Sequence, residues 1–171
     1  FSTFTFPAEH YGLSLILGGG ETKLIELAGA YSSMARILNH YNQHKGYNSQ
    51  DISLPQLTEK PAKDKKWNQQ PILSSSAIWL TFNALKEVNR PSEREGWRNF
   101  SSSGEVAWKT GTSFGLRDAW AVGTTPNYVV AVWAGNATGE GRPSLTGNQA
   151  AAPILFDILD LLPINKWFDK P

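Results

Sequence analysis

The apolar positions of this chain change period along its length, and each change predicts an element. Residues 1–20 are aromatic and then apolar, ending in Gly18-Gly19-Gly20, a loop-to-helix turn. Beyond it Leu24, Ala28, Tyr31, Ala35 and Leu38 recur at three- and four-residue spacing with Leu27 and Met34 beside them, which marks one buried face of a helix. Thr22 is its expected N-cap. Residues 39–71 lose this periodicity. Asn, Gln, Lys and Pro dominate there, which predicts a loop excursion with room for a short hairpin. A second helix is expected from Ser74–Ser76 to about Asn89, with Ile78, Phe82, Leu85 and Val88 inward and Pro91 as its stop.

Within 105–135 the period becomes that of a strand. Val106, Trp108 and Thr110 alternate with Glu105, Ala107 and Lys109. Phe114-Gly115 signals a turn, Asp118, Trp120 and Val122 alternate with small residues, and Thr125-Pro126-Asn127 is the next turn. Tyr128 to Trp133 is a third β-rich run, so the segment predicts a three-stranded antiparallel meander. A Gly-rich loop follows over 136–148. A last helix, 149–161, closes the chain, with Ile154, Leu155, Ile158, Leu161 and Leu162 apolar. The order fits an α+β arrangement, an antiparallel sheet flanked by helices, as one domain or a large piece of one over 1–171, with no internal repeat.

Composition narrows the function classes. Hydrophobic residues make up 40% and charged residues 18%, an ordinary globular balance. The net charge of +1 gives no general attraction to nucleic acid. The absence of cysteine excludes disulfides, thiolate metal sites and a cysteine nucleophile. No segment approaches the roughly 18 apolar residues that span a bilayer. Seven Trp supply a core or line a cleft. The chain opens at Phe1 in mid-pattern, without a signal segment, and reads as a piece whose upstream part is absent.

Candidate chemistry concentrates at Lys109-Thr110-Gly111-Thr112, at the end of the first predicted strand. Strand alternation puts Lys109 and Gly111 on one face and Thr110 and Thr112 on the other. Each residue type has a use in serine acyl transfer. A lysine ammonium supplies positive field to an anionic transition state and relays a proton. Glycine lets a peptide approach the backbone, and threonine hydroxyls bind a carboxylate. An exposed edge offers an oxyanion donor and pairs with an extended peptide. The plain alternative is an exposed strand with a solvated lysine, and the tripeptide alone favours it.

The stretch WKTGTSFGLRDAWAV, Trp108 to Val122 with Gly123 after it, resembles the third active-site motif of penicillin-binding proteins. Its extension from Phe114 to Trp120 resembles the 1C class of bifunctional penicillin-binding proteins. Leu15 to Met34, LILGGGETKLIELAGAYSSM, is similar to the helix after the family's second motif, and Val129 to Gly135, VVAVWAG, to the strand after the third. The resemblance covers most of the chain and is weakest over 39–71. It implies that 1–171 is the C-terminal part of a transpeptidase domain, an incomplete β-lactamase/transpeptidase-like fold, at the periplasmic face of the bacterial inner membrane. A serine attacks the D-Ala-D-Ala end of a peptidoglycan stem peptide and passes the acyl group to a neighbouring amine. β-Lactam antibiotics trap the same serine.

On the matching positions, the resemblance assigns Lys109 positive charge and hydrogen bonding, Thr110 and Thr112 the substrate carboxylate, and the Thr112 N–H the oxyanion, beside Gly111. Arg117 and Asp118 match the 1C-class pattern and are expected either to stand behind the site residues and support them or to be structural, as an ion pair, and Trp120 is expected to belong to the core. No cofactor and no metal is called for. The departure from the pattern is that no Ser here begins Ser-x-x-Lys or Ser-x-Asn. Those motifs, the membrane anchor and a glycosyltransferase domain are expected upstream, with a further domain after the chain. The chain alone is then expected to be inactive and to need the upstream part of the same domain as partner. A β-lactamase or D,D-carboxypeptidase of the same fold, and a noncatalytic peptidoglycan- or partner-binding module, are the alternatives.

Other candidates are weaker. His40 and His44 have a metal-like spacing but no third ligand, and read as solvated surface. His10 has no assigned role. Glu105 and Asp118 could face each other across a hairpin as a glycosidase pair does. Lys60, Lys63, Lys65 and Lys66 form a loose basic cluster, and Asn99-Phe100-Ser101 and Asn136-Ala137-Thr138 fit the glycosylation sequon by chance.

Overall fold

The computed structural model describes residues 1–58, 66–91, 104–163 and 166–171. The alternating stretch forms β1 (Ala107–Thr112), β2 (Asp118–Thr124) and β3 (Val129–Gly135), antiparallel in the order β1-β2-β3. The β1–β2 hairpin closes where Ser113 Oγ accepts from the Asp118 N–H at 2.8 Å. Gly115 supplies the positive φ of 76° that this turn needs. At the β2–β3 turn, Thr125 Oγ1 accepts from the Tyr128 N–H at 3.0 Å, leaving a tight loop of Pro126 and Asn127.

Alternation divides the sheet between two cores. Val106, Trp108, Ala119, Ala121 and Val132 pack on Leu155 and Phe156 of α4 (Ala152–Asp160). The small residues on this face are what let α4 approach: a Cβ at Gly123 would sit 3.2 Å from Leu155 and Leu159 side-chain carbons. On the other face, Ala107 packs with Ala35, Leu38, Ile78 and Phe82 of α2 (Leu24–His44) and α3 (Ser75–Lys86). The α+β arrangement of helices around an antiparallel sheet is therefore present. Ahead of α2 lie a short α1 (Ala8–Tyr11) and a 3-10 turn (Gly12–Leu17).

Several boundaries differ from the sequence expectation. The α2 N-cap is Lys23, not Thr22: Lys23 is the extended residue whose carbonyl accepts from Leu27 N–H at 3.1 Å, so Thr22 lies one position too early. The helix also runs through 39–44, because no Gly or Pro interrupts it before Gly46. The start of the expected excursion is thus helical. Its remaining described part holds a 3-10 turn (Ser49–Asp51) and a parallel bridge of Tyr47 with Asn68 in place of a hairpin. The helix α3 begins as expected, capped by Ser74, whose Oγ accepts from Ala77 N–H at 3.2 Å. It ends at Lys86, before Pro91 is reached, and Val88 leaves the buried face to accept a hydrogen bond from Trp108 Nε1 at 3.2 Å. After α4 the chain returns to the α2–α3 layer. There Phe168 packs on Phe82 with ring centroids 5.1 Å apart and the rings tilted, and Asn42 Nδ2 donates to the Asp169 carbonyl at 2.7 Å.

A second face of α2 holds the loop 49–55. Arg36 donates from Nη2 to Ser53 O at 2.8 Å and Ser33 Oγ at 3.0 Å, and from Nε to Asp51 O at 3.1 Å. Burial pushes the Arg36 guanidinium down from its ordinary value, and the Asp51 charge opposes this. Gly29 is the helix position over which the loop passes, since a Cβ there would lie 3.0 Å from Pro55. Arg36→Gln leaves two carbonyls short of a charged donor, so it is expected to cost about 2 kcal/mol. Urea unfolding with an unchanged m-value checks this, and an unaltered midpoint would refute it.

The N-terminal turns leave Phe1, Phe6, Leu13, Ile16 and Leu17 exposed. Apolar surface of this kind drives association. The 171-residue chain is expected to self-associate in sedimentation velocity at micromolar concentration, and a single monomeric species throughout would contradict this.

Candidate active site

The site residues follow from the pairing of β1. Ser113 N–H donates to Asp118 O at 3.0 Å, and the register places Gly111 opposite Trp120 and Lys109 opposite Val122. In an antiparallel ladder the backbone groups of alternate residues point to the partner. Lys109, Gly111 and Ser113 therefore turn theirs to β2, and Thr110 and Thr112 project N–H and C=O from the other side. Among the described residues no strand pairs with that side, which makes β1 an edge strand of the described sheet. Lys109 is exposed, and its Nζ folds onto this edge, donating to Thr110 O at 2.5 Å. An ammonium is thus held beside two outward N–H groups.

Lys109 and Gly111 lie on the face turned to α2 and α3, and Thr110 and Thr112 on the face turned to α4. Gly111 is covered by Trp120, whose Cβ would lie 3.5 Å from a Cβ at this position. Trp120 is half-buried beside Lys109 and Gly111, outside the two core clusters, so the core assignment is corrected. Thr112 Oγ1 accepts from Gly147 N–H at 2.9 Å, which leaves its hydroxyl hydrogen free to donate. Gly147 opens a π-type turn (Gly147–Ala151) leading into α4, and Thr146 Oγ1 caps it by accepting from Gln149 N–H at 3.2 Å.

Arg117 and Asp118 do not form an ion pair. Adjacent residues entering a strand point apart. Asp118 Oδ1 instead accepts from Trp133 Nε1 at 2.9 Å, and Arg117 is exposed. Glu105 and Asp118 do not face each other either: they lie at opposite ends of the β1–β2 pair, and Glu105 binds Lys86 at 2.7 Å. His40 is not solvated surface. It pairs through Nδ1 with Asp51 at 2.7 Å, while His44 stacks on Trp67 with centroids 3.8 Å apart. Among the described residues no group of three His, Cys, Asp or Glu is placed to hold a metal. His10 stacks on Phe6. Asn136 Oδ1 accepts from Thr138 N–H at 3.2 Å, closing its own turn. Lys60, Lys63, Lys65 and the sequon at Asn99 lie outside the described residues.

Gly147 and its cap were missed in the sequence, although the signal was there. Thr146-Gly147-Asn148-Gln149 is a threonine followed three residues later by glutamine, the capping-box pattern. The Trp133–Asp118 contact had no such signal, because it depends on strand register.

The chain is 33% identical to penicillin-binding protein 1C of Escherichia coli strain K12 over 150 residues, 88% of this chain and 17% of that protein. It is 34% identical to penicillin-binding protein 1A of Clostridium botulinum over 120 residues, 67% of the chain and 14% of that protein. It is 29% identical to penicillin-binding protein 1A of Neisseria lactamica over 152 residues, 86% of the chain and 18% of that protein. No family model matches. The chain spans less than one fifth of the length of each of these relatives. It is a segment of the penicillin-binding protein kind. The relatives it matches are of the 1C and 1A types. No helix among the described residues is long and apolar enough to cross a membrane.

Proposed function

We propose that this chain supplies the Lys-Thr-Gly strand of a serine-type D,D-transpeptidase that cross-links peptidoglycan stem peptides at the periplasmic face of the inner membrane. The observation that carries the reading is the edge of β1, where the Lys109 ammonium and the outward backbone of Thr110 and Thr112 come together. An extended D-Ala-D-Ala peptide adds to that edge as a strand. Thr110 and Thr112 donate their hydroxyls to its terminal carboxylate. The Thr112 N–H receives the oxyanion as the serine attacks. Lys109 offsets the negative charge that grows in the tetrahedral intermediate. The serine comes from a Ser-x-x-Lys motif outside these 171 residues. β-Lactams occupy the same edge and acylate the same serine.

The test is labelling by a fluorescent penicillin, on this chain and on a protein that also carries the two serine motifs. Labelling of the longer protein alone supports the reading. Labelling of the 171-residue chain by itself, or of neither protein, removes it. Rapid turnover of the label by the longer protein would instead favour a β-lactamase.

A further inference from the structure

The tip of the β1–β2 hairpin carries features that the acyl-transfer chemistry does not use. Phe114, two residues beyond Thr112, is 98% exposed. Arg117 is exposed at the other end of the same turn, and a Cβ at Gly115 would meet its Nε at 3.5 Å, so the guanidinium stem lies back along the tip. The loop after β3 is bound to this turn through the backbone: Arg142 N–H donates to Leu116 O at 3.0 Å. The backbone of a second exposed arginine is thereby tied to the same turn.

Neither arginine has a carboxylate within ion-pair distance among the described residues. The two acids nearest in the chain are engaged elsewhere, Asp118 with Trp133 Nε1 and Glu140 with Asn136 Nδ2. Two like charges carried on backbone that is bonded together at one tip disfavour each other, and among the described residues neither is ion-paired. An anionic group from outside relieves this, and guanidinium groups near an exposed aromatic ring suit a carboxylate on an apolar stem.

We infer that Arg117 and Arg142, with Phe114, form a specificity subsite for an acidic side chain of the peptide laid along the edge of β1. This rests on the proposed transpeptidase reading for the identity of the peptide. A strand advances about 3.3 Å per residue. A peptide whose reacting end lies at Lys109–Thr112 therefore brings the residue roughly two to four positions further along to the hairpin tip. The subsite reads an internal carboxylate, distinct from the terminal one bound by Thr110 and Thr112. It distinguishes peptides whose internal acid is free from those in which it is amidated.

The test uses two short extended peptides ending in D-Ala-D-Ala, identical except that one internal side chain is a carboxylate in one and a carboxamide in the other. Binding to the protein that carries this chain with the serine motifs is measured by calorimetry at low and high salt. The carboxylate peptide is expected to bind about 10-fold or more tightly at low salt, with the difference shrinking as salt screens the charges. Arg117→Gln and Arg142→Gln each reduce the discrimination, and the double substitution abolishes it, with the thermal midpoint as a check on folding. Equal binding of the two peptides by the unsubstituted protein overturns the inference. So does discrimination that survives in the double variant. Penicillin acylation of the unsubstituted protein reports the transpeptidase reading separately. If acylation fails while arginine-dependent discrimination holds, the acid subsite stands and the transpeptidase reading falls.

Discussion

Replacing Lys109 by alanine, in a protein that joins this chain to the serine motifs, is expected to slow penicillin acylation by about 10²–10³-fold, the usual loss when one preorganised stabiliser of an oxyanion is removed. The argument is electrostatic. On the proposed reading, attack on the lactam carbonyl creates negative charge beside the β1 edge, where the Lys109 ammonium is hydrogen-bonded to the Thr110 carbonyl. No other lysine or arginine is on β1, so nothing on the strand replaces it. The side chain is exposed, so truncation is expected to shift folding stability by no more than about 0.5 kcal/mol. A fall in acylation with an unchanged thermal midpoint is therefore the diagnostic pair. Lys109→Arg keeps the charge in a larger, planar group and recovers only part of the rate. Wild-type acylation in the alanine variant would remove Lys109 from the chemistry.

How much of this was legible in the sequence depends on the range of each interaction. The meander was legible because alternation at Val106, Trp108, Asp118, Trp120 and Val122 is local and the turns carry Gly115 and Pro126. The faces of Lys109 and Thr110 followed from the same alternation. The chain beyond α4 was not legible, because Trp167 and Phe168 show no period and are held by partners far back in the sequence, Asn83 and Phe82. The covered second face of α2 was not legible for a related reason. Gly29, Ser33 and Arg36 stand outside its apolar pattern, yet they are covered by the loop 49–55. Polarity along one helix does not reveal that a polar loop will settle on it. The expected Arg117–Asp118 pair shows the opposite error, in which sequence adjacency suggests contact that strand geometry forbids.

The consequence of packing for the site is sharpest at Gly147. A Cβ there would lie 2.6 Å from the carbonyl oxygens of both Gly111 and Trp120, and 2.8 Å from the Thr110 Cβ. Two of these neighbours are backbone of the paired strands, which do not give way as a flexible side-chain end does. Gly147→Val therefore displaces the π-type turn from the sheet. That motion breaks the Gly147 N–H bond to Thr112 Oγ1 and loosens the start of α4, whose Leu155 and Phe156 fill the core under the sheet. The expected destabilisation is about 3 kcal/mol, at the upper end for an overpacked position. In a domain of this size that lowers the melting midpoint by roughly 10 °C. Penicillin acylation should fall as well, measured well below that midpoint, because Thr112 loses the contact that orients it. Thr112→Val separates the two effects. It removes the acceptor without adding bulk and is expected to cost only about 1–2 kcal/mol. If Gly147→Val melts with the wild type, the close approach of the turn to β1 and β2 is wrong. If it is destabilised but acylates normally, the turn supports the fold without positioning Thr112.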